Sequence, residues 1–302
     1  MAPEGPSAGA SSGELDEETA WRLVLAARVG PSRPAPTRDL GGDPWRVELE
    51  GPPPATLDIH RDGRWDTPSP PSPAARDLLD LFLPVALPAD LVMGQLGQSV
   101  DGRIATEGGH SHYVTGPADR RRLHRLRALV DAVVVGAGTV ALDDPRLTVR
   151  EVEGRNPVRV VLDPEGRLDP GRRVFTDGAA PTLLVRRAGA DARDPGQTQP
   201  TGQLELLALP AGEGGFDPLA LLVHLRARGL RRILVEGGGV TVSRFLQAGL
   251  LDRLHLTVAP LLIGSGRPSL TLPPVATLEE ALRPRCRRFA LGEDLLFDLD
   301  LR

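Results

Sequence analysis

From residue 91 onward, short apolar runs alternate with segments whose apolar residues recur at helical spacing. Runs of strand length fall at 91–96, 132–135, 158–162, 182–185, 204–208, 232–235, 253–259 and 295–301. Between them, residues 119–130 carry Leu123, Leu126 and Val130 on one helical face, and Pro117 marks a helix start. Asp217-Pro218 caps a further helix running to residue 228, and a run of three glycines ends the strand at 232–235. This alternation predicts an α/β domain on a mostly parallel sheet flanked by helices, with the last strand antiparallel and near an edge.

The first 85 residues read differently. Half of the thirty prolines fall before residue 90. Residues 1–13 predict a disordered tail, and 15–28 an amphipathic helix with Trp21, Val24 and Leu25 on one face. Residues 45–49 and 57–60 alternate apolar and polar, predicting a small hairpin, and 68–73 reads as a Pro/Ser linker. The expected organisation is a tail at 1–13, an accessory segment at 14–85 and one catalytic-sized domain at 86–302.

Composition removes several chemistries. The net charge of −4 argues against a nucleic-acid or anionic-membrane partner. No apolar run approaches the roughly 20 residues of a membrane span, and residues 1–13 lack a secretory pattern, so a cytoplasmic location is expected. Cys286 is alone, which excludes an internal disulfide and a multi-cysteine zinc site. Every basic residue besides histidine is arginine, so Schiff-base and P-loop lysines are excluded, and a phosphate must be held by arginines, hydroxyls or backbone amides.

Taken singly, the polar clusters are ambiguous. Gly237-Gly238-Gly239 suits a close ligand approach but lacks the third glycine of a dinucleotide fingerprint, which disfavours a standard Rossmann dehydrogenase. His110 and His112 share a face but have no carboxylate at zinc-like spacing, so no metal is expected. Asp143-Asp144 before Pro145 is either a general-acid pair or a turn device. Arg120-Arg121-Arg122 reads as a solvated helix face. Residues 254–263, followed by Gly264-Ser265-Gly266, suit either an edge strand with a subunit contact or a buried strand.

Taken in order, these elements gain meaning. The set S-x-D-G-x-I-A from Ser99, S-x-aromatic-x-T-G from Ser111, L-R-A at Leu126, G-x-G-T-V from Gly136, D-D-P-x-L-T-x-R from Asp143, and V-E-G-G-G from Val235 resembles the reductase domain of bacterial riboflavin biosynthesis. That domain is the 5-amino-6-(5-phosphoribosylamino)uracil reductase, and its fold is like that of dihydrofolate reductase. The resemblance covers about residues 90–302. The zinc deaminase domain of the bifunctional family members has no counterpart here.

The resemblance implies NADPH as cofactor, held by Gly97, Tyr113, Thr139 and Asp143. Backbone amides of Gly238, Gly239, Val240, Thr241, Val242, Ser243 and Arg244 would wrap its diphosphate. It implies substrate contacts from Ser111, Arg127, Leu147, Arg150 and Glu236, the two arginines suiting a ribose 5-phosphate and Glu236 the pyrimidine N–H groups. The implied reaction is hydride transfer to C1′ of a ring-opened ribosylamine imine. Its proton donor is unassigned; Asp101 is a candidate, with a turn role as the alternative. Relatives of this kind pair as homodimers. Tyr113 in place of tryptophan, Gln98 in place of a small residue and Pro164 in place of a serine depart from the family pattern. They keep open a same-fold reductase of another pyrimidine, pterin or folate-like substrate, or a non-catalytic nucleotide-binding paralogue.

Overall fold

The computed structural model describes residues 13–29, 45–50, 54–112, 114–189 and 203–302. The chain divides into two compact units, Met1–Ala89 and Asp90–Arg302. Within the first, α1 (Glu17–Val29) precedes β1 (Trp45–Leu49), β2 (Ala55–Ile59), β3 (Trp65–Asp66) and α2 (Pro73–Ala86). β1 and β2 pair antiparallel, Trp45 opposite Ile59, and β3 extends that sheet. Trp21 of α1 meets Phe82 of α2 edge to face, 5.6 Å between ring centroids.

The stretch expected as a linker has defined structure instead. Leu15 bridges to Pro71, and the Ser72 hydroxyl accepts the Ala75 N–H to cap α2. Proline at 73 suits the first helical turn, so the residues that suggest a linker start a helix. The tail expected at 1–13 lies, except for Gly13, outside the described residues.

The second unit runs β4 (Leu91–Ser99), β5 (Arg103–Thr106), α3 (Pro117–Leu129), β6 (Ala132–Gly136), α4 (Ala137–Asp143), β7 (Val158–Leu162), α5 (Arg173–Thr176), β8 (Thr182–Arg187) and β9 (Leu204–Leu209). It continues with β10 (Ala211–Gly212), β11 (Gly215–Phe216), α6 (Pro218–Ala227), β12 (Arg232–Val235), α7 (Gly239–Gln247), β13 (Arg253–Ala259), β14 (Gly266–Pro268), β15 (Arg285–Leu291) and β16 (Asp294–Asp300). The main sheet has the order β15-β16-β13-β4-β12-β6-β7-β8-β9. Every pairing from β13 to β9 is parallel, and β16 is antiparallel to both its neighbours. This is the mostly parallel sheet flanked by helices that the alternation predicts.

The central strands are near-continuous apolar runs because both faces are covered. Val92, Leu96, Val134, Val160, Ile233 and Val235 share one core with Leu221 and Leu225 of α6 and Val242 and Phe245 of α7. β13 lies between β4 and β16, so residues 253–259 are interior and the edge-strand alternative for that run is corrected. The edge belongs to β15, which the hydrophobic pattern does not mark because its outward residues are arginines.

Candidate functional site

The glycine run after β12 packs by necessity at a strand-to-helix junction. Gly237 has φ +84°, and a Cβ there would stand 2.6 Å from Thr139 Oγ1. A Cβ on Gly239 would stand 2.1 Å from the Ser269 carbonyl oxygen. Gly238 donates its N–H to Thr139 Oγ1 at 2.9 Å, so two expected cofactor positions, one in the glycine run and one in α4, meet. Gly239 and Val240 then open the first turn of α7, where N–H groups have no preceding carbonyl within the helix.

A cavity of about 100 Å³ lies beside this turn, lined by Gly136, Leu162, Pro164, Val240, Thr241 and Arg244 among others. It borders a wider groove of about 680 Å³ along the β10–β11 hairpin, and Arg244, Gly215, Phe216 and Pro218 line both. Arg244 rests on that hairpin: a Cβ on Gly214 or Gly215 would stand 2.5 Å from its guanidinium. Val242 and Ser243 do not face the cavity. Val242 is in the core, and the Ser243 hydroxyl accepts the Thr271 N–H at 2.9 Å. Of the expected stretch, Val240, Thr241 and Arg244 line the cavity.

A second group forms around β4. A Cβ on Gly97 would stand 2.7 Å from the Thr115 methyl, so glycine is required there by the close approach of that loop. Ser269 donates its hydroxyl proton to the Gln98 amide oxygen, which turns the unusual Gln98 towards the strand holding Gly239 in place. Ser111 donates to Asp143 at 2.7 Å, joining an expected substrate residue to an expected cofactor residue. Tyr113 lies outside the described residues.

The third group carries the charge. Arg127 of α3 and Glu236, just past β12, form two hydrogen bonds of 2.8 and 2.7 Å, and both are buried. Arg127 Nη1 also reaches the Thr148 carbonyl at 3.4 Å, and Arg150 Nη1 donates to Thr148 Oγ1 at 2.7 Å. Leu147 is buried at φ +55°, a strained conformation for a leucine. Asp144 ends α4 in the left-handed region at φ +40° and accepts from Arg173 Nε at 3.0 Å and its N–H at 2.8 Å. That settles Asp144 as a structural fastener rather than half of an acid pair.

Burial, together with the charges of Arg127 and Arg146, lowers the Arg150 guanidinium from its usual value. Burial, then Arg127 and Arg150, push the His124 imidazole down to about 4. The surroundings of Arg150 are thus electropositive, the field an anion would neutralise. Asp101 accepts hydrogen bonds from the Ser99 hydroxyl and from the Gly264 and Ile263 N–H groups, which lower its carboxyl to about 2. An acid ionised so far below neutrality is a loop fastener, and its candidacy as proton donor falls.

Beneath Thr115 runs a buried network that composition does not reveal. Asp119 accepts from Thr115 at 2.7 Å, from Thr257 at 2.8 Å and from Arg122 at 2.7 Å. Arg122 also donates to His255 Nδ1 at 2.9 Å. It is only 2 % exposed, so the reading of Arg120-Arg121-Arg122 as one solvated face fails at its third member. Arg122 lies on the face of α3 turned to β13, three residues after Asp119, and an acid–base pair at that spacing is the signal that could have found it. Among the described residues no group of metal-ligating side chains forms, and no helix is long and apolar enough to cross a membrane.

Residues 91–291 match the RibD C-terminal domain family. The chain belongs to this family. A 2,5-diamino-6-ribosylamino-4(3H)-pyrimidinone 5′-phosphate reductase of Methanothermobacter thermautotrophicus is 36 % identical over 211 residues, 68 % of this chain and 94 % of that protein. Riboflavin biosynthesis protein RibD of Aquifex aeolicus is 32 % identical over 219 residues, covering 72 % of this chain and 59 % of that protein. The chain thus spans nearly all of the archaeal reductase but about three fifths of this RibD. Among solved structures, the Thermotoga maritima deaminase/5-amino-6-(5-phosphoribosylamino)uracil reductase aligns with a TM-score of 0.59 at 26 % identity, covering 75 % of this chain and 61 % of that one. The RibD C-terminal domain accounts for the second unit, which is an enzyme domain of the pyrimidine-reductase kind. The matched residues begin at 91, after the first unit.

Proposed function

We propose that this protein is an NADPH-dependent reductase of a phosphoribosylaminopyrimidine in riboflavin biosynthesis. The observation that carries the reading is the convergence of the buried Arg127–Glu236 pair with Arg150 on Thr148, an electropositive arm built into the same unit as the glycine junction. The names of the relatives supply the substrate class.

The glycine junction fits a dinucleotide. Gly138 has open space where a Cβ would be, and the first turn of α7 offers N–H groups to a diphosphate. Arg244, lying on the hairpin at the mouth of the groove, suits the ribose 2′-phosphate that distinguishes NADPH. When bound, the reduced nicotinamide supplies hydride to C1′ of the ring-opened imine. The protein's part is to hold that carbon at close range and exclude water. Arg150 takes the 5-phosphate, Ser111 a ribose hydroxyl and Glu236 a pyrimidine N–H, while the two hydrogen bonds from Arg127 hold the Glu236 carboxylate in place.

A homodimer is part of this reading. Leu262, Leu278 and Leu282 are 75 %, 73 % and 65 % exposed and lie in the segment that leads from β13 to the edge strand β15. The cytoplasm, where such a soluble substrate would be made, is the proposed location.

Expression in a riboflavin-requiring bacterial strain lacking its own reductase tests the function. Growth without added riboflavin is expected. Failure of a soluble, well-expressed chain to restore growth would favour a related substrate or a non-catalytic nucleotide-binding role.

A further inference from the structure

Residues 148–150 belong to no strand or helix, so their backbone donors must find side-chain partners. Val149 N–H donates to Asn156 Oδ1 at 2.7 Å. Arg150 N–H donates to His124 Nδ1 at 3.1 Å. His124 sits on α3 one turn before Arg127 and is 4 % exposed. Because a backbone N–H only donates, Nδ1 is unprotonated, and the neutral ring carries its proton on Nε2, which faces Glu151 Oε1 at 3.7 Å.

We propose that His124 is a positioning residue for the phosphate arm: its imidazole anchors the main chain of Arg150 so that this guanidinium and that of Arg127 converge on Thr148. The proposal rests on the reading of Arg150 as the phosphate ligand. Two anchors then define the arm. His124 fixes where Arg150 leaves the backbone, and Thr148 Oγ1 fixes where its guanidinium ends, 2.7 Å away. The Thr148 carbonyl receives Arg127 and Arg150 at 3.4 and 3.5 Å, which ties both cations to one point. Burial first, and then the two guanidiniums beside the ring, oppose its protonation, so His124 stays an acceptor at neutral pH. A lysine or arginine at 124 would offer only donors to the Arg150 N–H. Histidine, with an acceptor and a compact ring, fits the buried position.

The test compares acceptor geometry at one site. Asparagine places its Oδ1 where Nδ1 stands; glutamine moves its acceptor outward, and leucine has none. His124→Gln and His124→Leu should raise KM for the phosphorylated ribosylaminopyrimidine about tenfold, the effect of one lost positioning bond, with kcat and NADPH affinity nearly unchanged. His124→Asn should recover most of that loss. His124→Gln combined with Arg150→Gln should be no worse than Arg150→Gln alone, because both act through one arm. Equal impairment in the asparagine and glutamine variants, or losses spread equally over KM, kcat and NADPH affinity, would overturn the proposal. An unchanged KM in Arg150→Gln alone would overturn the phosphate reading beneath it, a failure visible without any His124 variant.

Discussion

Arg127 and Glu236 grip each other through two parallel hydrogen bonds, although 109 residues separate them in the chain. The family resemblance marks both as substrate contacts, and the fold makes them partners as well. Glu236 follows β12 directly, and its N–H donates to the Val134 carbonyl, so the carboxylate is fixed to the sheet. Two of the donors Arg127 would offer to a phosphate are thereby committed.

A difference between the two arginines follows. Arg127→Gln leaves Glu236 as a buried, uncompensated charge and should cost about 3–5 kcal/mol of stability besides weakening substrate. Arg150 is exposed and its guanidinium bonds Thr148, so Arg150→Gln should cost about 1 kcal/mol or less of stability while raising KM roughly ten- to a hundredfold. Denaturant unfolding and steady-state kinetics on the two variants check this. Equal destabilisation by both would show that Arg150 is structural.

Thr139→Val tests the glycine junction. Valine keeps the shape of threonine but removes the oxygen that accepts the Gly238 N–H at 2.9 Å. The loop presenting the first turn of α7 then loses its tether, and NADPH Kd should rise roughly five- to tenfold, the effect of about 1 kcal/mol. Fluorescence titration with NADPH measures it, and an unchanged Kd would detach Thr139 from the cofactor.

Arg244→Ala bears on cofactor choice. Arg244 sits where α7, the hairpin and both cavities meet. Its loss should weaken NADPH roughly tenfold, by removing a charge-assisted bond, and leave NADH nearly unaffected. An unchanged ratio of kcat/KM for the two cofactors would assign the 2′-phosphate elsewhere.

Acid should destabilise the protein through its buried histidines. Unfolded, His255 titrates near about 6.5. Folded, burial above all, then Arg122 working against the favourable Asp298, hold it near 4. Between those values the unfolded chain binds the extra proton, so stability falls as pH drops from 6.5 and levels off below 4. His124, held near 4 by burial and two arginines, adds to the same slope. The two together should remove on the order of a few kcal/mol across this window. Asp298, held below its ordinary range against its own burial by His255 and Arg253, adds to the loss only below about pH 5, where the unfolded carboxylate begins to take up a proton. Urea unfolding at pH 7, 5.5 and 4.5 measures the slope, and His255→Asn should flatten it. A wild-type slope near zero would contradict the buried neutral imidazoles.

The strands of the second unit were legible because both sheet faces are buried, which makes each a bounded apolar run between turn residues. Helix α2 was not, because Ser72 and the prolines around it carry the same letters as a linker, and only the Ser72 cap tells them apart. β15 was missed for the opposite reason: an edge strand of arginines shows no apolar periodicity. In the site, the ordered motifs singled out Arg127, Glu236, Thr139 and Gly238, and the fold brings these together in pairs. They did not single out His124 or Arg122, whose partners Arg150 and His255 lie 26 and 133 residues away. Long-range pairing of this kind leaves no trace in local spacing. Val242 and Ser243 show the converse: the resemblance implies cofactor contacts from their backbone amides, while helical periodicity buries their side chains, Val242 in the core and Ser243 on the Thr271 N–H.

The most direct test follows the hydride. The purified protein, given NADPH deuterated at C4 of the nicotinamide and a phosphoribosylaminopyrimidine, should form the ribitylamine with one deuterium on C1′, read by mass spectrometry and NMR. Oxidation of NADPH should match product one to one, and Arg150→Gln should need far more substrate for the same rate. Saturable NADPH binding with no deuterium at C1′, whichever pyrimidine is offered, would contradict the reductase reading at its centre.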